Sequence, residues 1–364
     1  MGDIQKCLKN HSHCPDDGFY FYNTAVLFDD KGNLVMKYHK MHLFGEKSFN
    51  TPKKNEIVYA DTPFGRIGMF ICFDMIFKSP ALNLVGDLNV TTMLFPTLWF
   101  DELPFLSAVQ YHHGWAVTNQ VNLLSSNMHN LLTGTLGSGI HSGQNGFIVY
   151  TNEFDNKPKL LLADIPIDSK SKNNCKPNSE IINIDISAIL NAPISAQTKI
   201  YLFKTMDMTG VSQKKLTKSS NESSLLNNNL NCTVKYQLLD DKTFNEEQYY
   251  LIAANRIRKS TYQWCEEFCA LIKCKSDYEG KCVSFTNQVK DHLFKNVSLS
   301  SSFSTKYVYP SATTNNIKLI PLNQWKFSID NQNDKFHAEL SIDSIDKPLL
   351  VLGLYGRCYQ RDPK

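Results

Sequence analysis

Cys72, in the run FICFDMIF at 70–77, is the residue of this chain best placed by sequence to do chemistry. A cysteine packs as a small buried hydrophobe unless its surroundings favour the thiolate. An almost uninterrupted apolar stretch, 67–73, reads as a strand leading up to it. The following FKSPALNLVGD reads as a helix, with Ser79 to cap it, Pro80 in its first turn, and Ala81, Leu82, Leu84 and Val85 on an apolar face. Strand, sharp turn and helix in that order expose a side chain at the sheet edge. There, backbone N–H groups without an intrahelical acceptor favour negative charge. The N–H of Phe73 is then one donor to an oxyanion formed when the sulfur attacks a carbonyl. Lys40, in KYHKMHLFGE, offers a second, cationic donor. Read singly, Lys40 is a solvated lysine in a basic run and Cys72 a core thiol; read together, they point to nucleophilic attack on a carbonyl.

The elements that position these two residues are legible around them. GFYFYNTAVLF at 18–28 and LVMKY read as a hairpin closed by DDKGN and ending at His39 and Lys40. EIVYADTPFGRIGMFICF reads as a second hairpin bending at Thr62, Pro63 and Gly65, its second arm covered on both faces. VTTMLFP is a short buried strand. LPFLSAVQYHHGWAVT is a helix with Leu106, Val109, His113 and Ala116 on one side, and NLLSS is a further strand. Strands alternating with helices predict an α/β layer arrangement. DSKSKNNCKPNSE at 168–181 and SQKKLTKSSNESSLLNNNLN at 212–231 read as loops or linker by composition. VKYQLL, QYYLIAANRI, TKYVYP, QWKFSID, FHAELSI and LLVLGLYGRCY read as successive strands, so two domains are expected: 1–199, α/β, and 200–364, mainly β.

The net charge of +3, from 38 basic and 35 acidic residues in mixed order, gives no field that would select nucleic acid or a membrane surface. No apolar run reaches the length of a membrane span, and MGDIQKCLKN has no hydrophobic core of a secretory signal. Ten cysteines, four of them within CEEFCALIKCKSDYEGKC, argue for an oxidising compartment, because their gaps do not suit zinc. Nine remain beside Cys72, an odd number. Asn10, Asn221, Asn231 and Asn296 head glycosylation triplets; Asn89 also does, but LNVTTMLF reads as the start of a buried strand. His39 with His42, and His112 with His113, lack an acidic partner at metal-ligand spacing, so no metal is expected. His112 reads as a pocket or surface histidine. Ser138, in LGSGI, is outside a G-x-S-x-G elbow. Trp99, in FPTLW, reads equally as a pocket wall or a core residue.

YHKMHLFGE, then TPFGRIGMFICFD about thirty residues on, then FPTLW, NLLSSN and GSGI together resemble the carbon–nitrogen hydrolase (nitrilase) superfamily. Within it, CPDDGFYFYNTAVLFDDKGNLVMKYHK, LPFLSAVQYHHGWA, YLFKTMDMTGV and LLVLGLYGRCYQRD resemble the vanin and biotinidase branch, along nearly the whole chain. The resemblance implies an α-β-β-α sandwich, incomplete at its N-terminus, with a second β domain. It also implies hydrolysis of a small linear amide, of pantetheine or biotinyl type, by a Glu-Lys-Cys triad without metal or organic cofactor. Carried over, Cys72 matches the nucleophile and Lys40 the oxyanion-stabilising residue; Glu46 falls where many members have an orienting acid, and Ser138 is structural in a loop beside the site. The branch is exported, and YQRDPK lacks a hydrophobic anchoring tail, which favours secretion.

The family's base glutamate lies far upstream of its lysine, whereas MGDIQKCLKNHSHCPDDG contains no glutamate. Asp3, Asp16 and Asp17 are no substitute. The expectation is a partial sequence or fragment, or a natural short form, with little amidase activity of its own and with apolar sheet surface left uncovered. The alternatives are a catalytically dead, vanin-like pseudoenzyme acting as a secreted binding glycoprotein, and a structural module in which Cys72 is inert. The oligomeric state is not fixed by the sequence.

Overall fold

In the chain's first hairpins, aromatic and β-branched residues fill the strands and Asp, Asn and Gly close the turns. The computed structural model describes residues 2–7, 14–155, 157–168, 178–184, 201–218, 220–239, 248–259, 262–277, 279–290 and 293–363. β1 (Gly2–Lys6), β2 (Phe19–Phe28) and β3 (Leu34–His39) form an antiparallel sheet. Its β2–β3 turn is fixed by the Asp29 carboxylate, which accepts the N–H groups of Lys31 and Asn33 at 2.9 and 2.7 Å. Ile4, Phe28, Leu34 and Val35 of this sheet are exposed. β4 (Val58–Thr62) and β5 (Gly65–Met69) make the second hairpin, with Gly65 at φ 94°, a backbone conformation that favours glycine.

β5 leads through a single 3-10 turn, Cys72–Ile76, and α1 (Ala81–Gly86) to β6 (Thr92–Thr97). After β7 (Glu102–Leu103), α2 (Ala108–Asn119) leads to β8 (Asn122–Asn127). β5, β6 and β8 are parallel, as strands joined by crossovers must be. β9 (Ser138–Ser142) and β10 (Gly146–Thr151) complete a six-stranded sheet ordered β10-β9-β8-β6-β5-β4. The apolar strand thus ends at Met69 rather than at residue 73, Cys72 opens a separate 3-10 turn, and the helix starts at Ala81, one residue past the Pro80 expected in its first turn. Ser79 is not its cap: Pro80 holds the N-cap position, and the Ser79 hydroxyl accepts from Asn55. Asn89, expected at the start of a buried strand, is exposed in a left-handed turn conformation.

β11 (Lys159–Ala163) and β12 (Ser179–Asn183) form a separate hairpin, so 179–181 is strand and not loop. β13 (Lys204–Thr205) pairs in parallel with β7, stitching the start of the second domain to the first. That second, β-rich domain is a sandwich. One sheet has β14 (Ser212–Lys215), β17 (Tyr249–Arg258), β18 (Trp264–Ser276), β25 (Leu349–Arg357), β21 (Val308–Thr314) and β22 (Lys318–Leu319) in that order, with β19 (Cys282–Phe285) on β18. The other has β15 (Glu222–Asn227), β16 (Leu230–Leu238), β20 (Phe294–Phe303), β24 (Lys335–Ile342) and β23 (Lys326–Gln332). The expected linker 212–231 is therefore largely β14, β15 and the start of β16, with Asn228 and Asn229 at positive φ in the turn. Asn is the residue that tolerates such a hairpin turn best after glycine.

β16 alternates as a half-buried strand should, with Leu230, Cys232, Val234 and Tyr236 inward. β21 and β25 are buried at every residue: the second sheet of the sandwich lies on one face, and on the other α2 packs on β21 while Phe105 and Tyr111 reach Tyr355 of β25. α2 is accordingly buried all round from Ala108 to Val117, and not on one side alone. Its Gly114 lies where a Cβ would stand 2.6 Å from the Pro310 carbonyl oxygen. Across the same seam Gln110 donates to the Ser311 hydroxyl at 3.0 Å, Thr118 to the Val308 carbonyl at 2.7 Å, and Arg357 Nε to the Ile76 carbonyl at 2.9 Å.

Four disulfides, Cys7–Cys14, Cys232–Cys269, Cys265–Cys358 and Cys274–Cys282, take eight of the ten cysteines. Cys232–Cys269 joins the two sheets of the sandwich, and Cys175 lies outside the described residues.

Candidate active site

Cys72 is a free thiol with φ 49°, the left-handed region that a non-glycine residue occupies only where surrounding contacts hold it. Those contacts come from Asp74. Its fully buried carboxylate accepts the Ile71 N–H at 3.1 Å, the Tyr38 hydroxyl at 2.8 Å and the His42 N–H at 2.8 Å, and meets His42 Nδ1 at 2.9 Å. One carboxylate thus ties the cysteine turn to the end of β3, the segment that carries Lys40. The sequence signals Asp74 only as an acid two residues after Cys72 inside an apolar run, where a charge must be paired to be tolerated.

Lys40 continues the β2–β3 ladder by donating its N–H to the Asn23 carbonyl at 2.8 Å, which fixes where its side chain starts. The residue is only 2 % exposed, and its ammonium pairs with Glu46 Oε1. Glu46 also accepts the Phe44 N–H and, at 3.2 Å, the Asn23 amide. Burial raises the Glu46 carboxyl, but the Lys40 ammonium and the Phe44 N–H outweigh it and hold the group below its usual value.

Lys40, Glu46 and Cys72 line one pocket of about 620 Å³, between Asn23–Val26 of β2 and the ends of β5 and β6. Cys72 is 9 % exposed, and its thiol donates to the Leu98 carbonyl at 3.5 Å. Cys72 also lines an adjoining narrow slot of about 60 Å³, walled by Phe44, Phe73, Trp99, Phe100 and Trp264. Cys72 itself opens the 3-10 turn and Phe73 follows it; no α-helix N-terminus is present there.

Trp99 walls the slot, with its N–H donated to Asn127 Oδ1 at 2.8 Å and its indole N–H to the Leu106 carbonyl at 2.8 Å. Ser138 stands one step behind it, its hydroxyl accepting the Asn127 N–H at 2.9 Å. His112, read from sequence as a pocket or surface histidine, lines neither cavity. It is fully buried on α2, edge-on to Trp99 and 3.2 Å from the Ser125 hydroxyl, and burial pushes it down to about 3. α2 is enclosed on both sides, which leaves a side chain at that position no route to solvent. Among the triplet asparagines, Asn221 and Asn231 are exposed, Asn296 is half-buried and bonded to Gln237, and Asn10 lies outside the described residues.

Among the described residues no group of three His, Cys, Asp or Glu side chains is placed to hold a metal, and no helix is long and apolar enough to cross a membrane. The carbon-nitrogen hydrolase family model matches residues 9–93, which include Lys40, Glu46 and Cys72, and the vanin C-terminal domain model matches residues 196–362. Pantetheinase of Mus musculus is 34% identical over 367 residues, the match covering 100% of this chain and 67% of the relative. Pantetheinase of Homo sapiens is 32% identical over 365 residues, with 100% and 67% covered. Biotinidase of Homo sapiens is 28% identical over 393 residues, with 100% and 68% covered. This chain belongs to the vanin and biotinidase branch of the carbon–nitrogen hydrolase family.

Proposed function

We propose that the chain is an amidohydrolase cleaving a linear amide of a small molecule through a thioester on Cys72. The observation that carries the reading is a single pocket lined both by a free thiol and by a buried lysine held by Glu46. The sulfur attacks the carbonyl carbon, the C–N bond breaks as the amine leaves with a proton, and water hydrolyses the thioester to the acid and the thiol. An ammonium has three donors, and Glu46 takes one, so Lys40 can share the oxyanion with the Phe73 N–H. Glu46 is a positioning residue. Trp99 walls the substrate, backed by His112 and, through Asn127, by Ser138. The relatives' names make pantetheine-type or biotinyl amides the substrates to try. The disulfides and the branch suit an extracellular protein, with Asn10, Asn221, Asn231 and Asn296 as glycan sites.

Proton transfer is the weak step. Among the described residues lining either cavity, the carboxylates are Glu46 and Glu102, and each is held in an ion pair, with Lys40 and Arg258. Neither is a free base, so this polypeptide by itself should hydrolyse unactivated amides about 10² to 10⁴ times more slowly than one with a placed base. The same observation favours a second reading, a binding glycoprotein on the same scaffold. An activated ester separates the two, because its phenolate leaves without a proton. With p-nitrophenyl acetate we expect one equivalent of p-nitrophenolate and an acetyl group on Cys72 by mass spectrometry. Neither should appear in Cys72→Ala, and acylation should be about 10² to 10³ slower in Lys40→Met. Folded protein whose Cys72 is never acylated would overturn the amidohydrolase reading in favour of the binding one.

A further inference from the structure

We propose that Lys204 is an anion subsite at the mouth of the Cys72 slot, selecting amides that carry a carboxylate near the scissile bond over neutral ones. The inference rests on the reading of Cys72 as nucleophile and adds to it the chemical class of the substrate. The walls of the slot are aromatic, and two charged side chains reach it, Glu102 and Lys204. Glu102 is already compensated by Arg258 of β17, at 2.6 Å. Lys204 is not: among the described residues no carboxylate lies within ion-pair distance of it, and the residue is exposed.

The position of Lys204 is nevertheless fixed. Its backbone pairs with Glu102 in the β13–β7 ladder, and its ammonium lies 4.4 Å from the Phe100 ring centroid and 5.7 Å from that of Phe44. Two ring faces hold the cation over the slot by their quadrupoles while leaving its charge unneutralised. A fixed, uncompensated ammonium beside a low-dielectric, apolar slot concentrates anions at that slot. Lys40 does not duplicate this role, because Glu46 neutralises it. The second domain thereby contributes to selectivity: Lys204 comes from the strand that leads into it, and Trp264, on the same slot, begins β18.

Iodoacetate and iodoacetamide differ by a carboxylate and alkylate the same thiol, so the ratio of their rates at Cys72 reads the subsite without requiring turnover. At constant low ionic strength we expect Lys204→Met to lower the iodoacetate to iodoacetamide ratio about three- to tenfold, with iodoacetamide itself unchanged, and Lys204→Arg to keep the wild-type ratio. The effect should shrink toward unity at about 1 M salt. Lys204 is exposed, so the variants should fold. A reactive Cys72 whose ratio is the same in wild type and Lys204→Met overturns the anion subsite and leaves the nucleophile standing. A Cys72 inert to both reagents in folded protein overturns both.

Discussion

Asp74 does more for the site than its distance from the chemistry suggests. It joins the left-handed turn at Cys72 to the end of β3 through Ile71, Tyr38 and His42, and so sets the nucleophile relative to Lys40. Removing it as Asp74→Ala leaves the buried Ile71 N–H and Tyr38 hydroxyl and the half-buried His42 N–H without an acceptor, each buried one worth about 1 to 3 kcal/mol. We expect a loss of about 3 to 5 kcal/mol in urea denaturation. At a pH and temperature where the variant remains folded, the alkylation rate of Cys72 should also change, a readout that a general loss of packing elsewhere would not move. Unchanged stability would mean that the turn is held by other contacts.

At the scale of an element, α2 carries His112 and His113 into a space closed on both sides. His113 packs against His141 of β9, Phe147 of β10 and Trp325, and burial pushes it down to about 4, with His112 at about 3 and His141 also lowered. These rings stay neutral in the folded protein, whereas in the unfolded chain they take up protons near 6.5. Their contribution to stability is therefore complete above pH 6.5 and is lost as pH falls toward 4. Asp101 works in the opposite direction. Burial raises it to about 7, so its charge weighs against the folded state above that pH and its protonation favours folding as pH falls. A comparison that isolates one ring is His113→Gln: relative to wild type, it should lose about 2 kcal/mol less between pH 7 and pH 5 in urea unfolding. An identical pH dependence in the two proteins would refute the assignment.

Legibility also divides by element. LLVLGLYGR at β25 declares itself as a short, almost uninterrupted apolar run ending in a charge, and Asp29–Asn33 through turn chemistry. ESSLLN at β15 does not: it is an outer strand of its sheet that buries only Ser223 and Asn227, so Ser and Asn serve there as well as Val would. The stretch has the composition of a linker because little of it is buried and so little of it must be apolar.

For the molecule as a whole, α2 is the layer shared by the two domains, between the six-stranded sheet and the sandwich. With the three-stranded sheet on the other side of the pocket, these layers belong to a nitrilase-type α/β fold carrying a β-rich second domain. Gly114 lets α2 approach the Pro310 backbone. In an ordinary helix Gly→Ala stabilises by about 1 kcal/mol. Here the added methyl meets backbone, which cannot rotate away, so Gly114→Ala should destabilise by about 1 to 3 kcal/mol in thermal or urea unfolding. A stabilised variant would show that the seam is looser than the packing implies.

The sequence by itself determined the reactive types and their surroundings: a cysteine after an apolar strand, a lysine closing a hairpin, an acid six residues on, and motifs that name the family. Those signals are local, and local chemistry is what residue type and short spacing encode. Only the tertiary structure decided that Lys40, Glu46 and Cys72 share a pocket, that Cys72 sits on a left-handed turn rather than at a helix start, and that His112 is walled in. Only it brought Lys204 and Trp264 beside the sulfur. The reason is physical: Asp74 meets His42 across 32 residues and Tyr38 across 36, and a contact of that separation is made by sheets stacking, which no window of neighbouring residues contains.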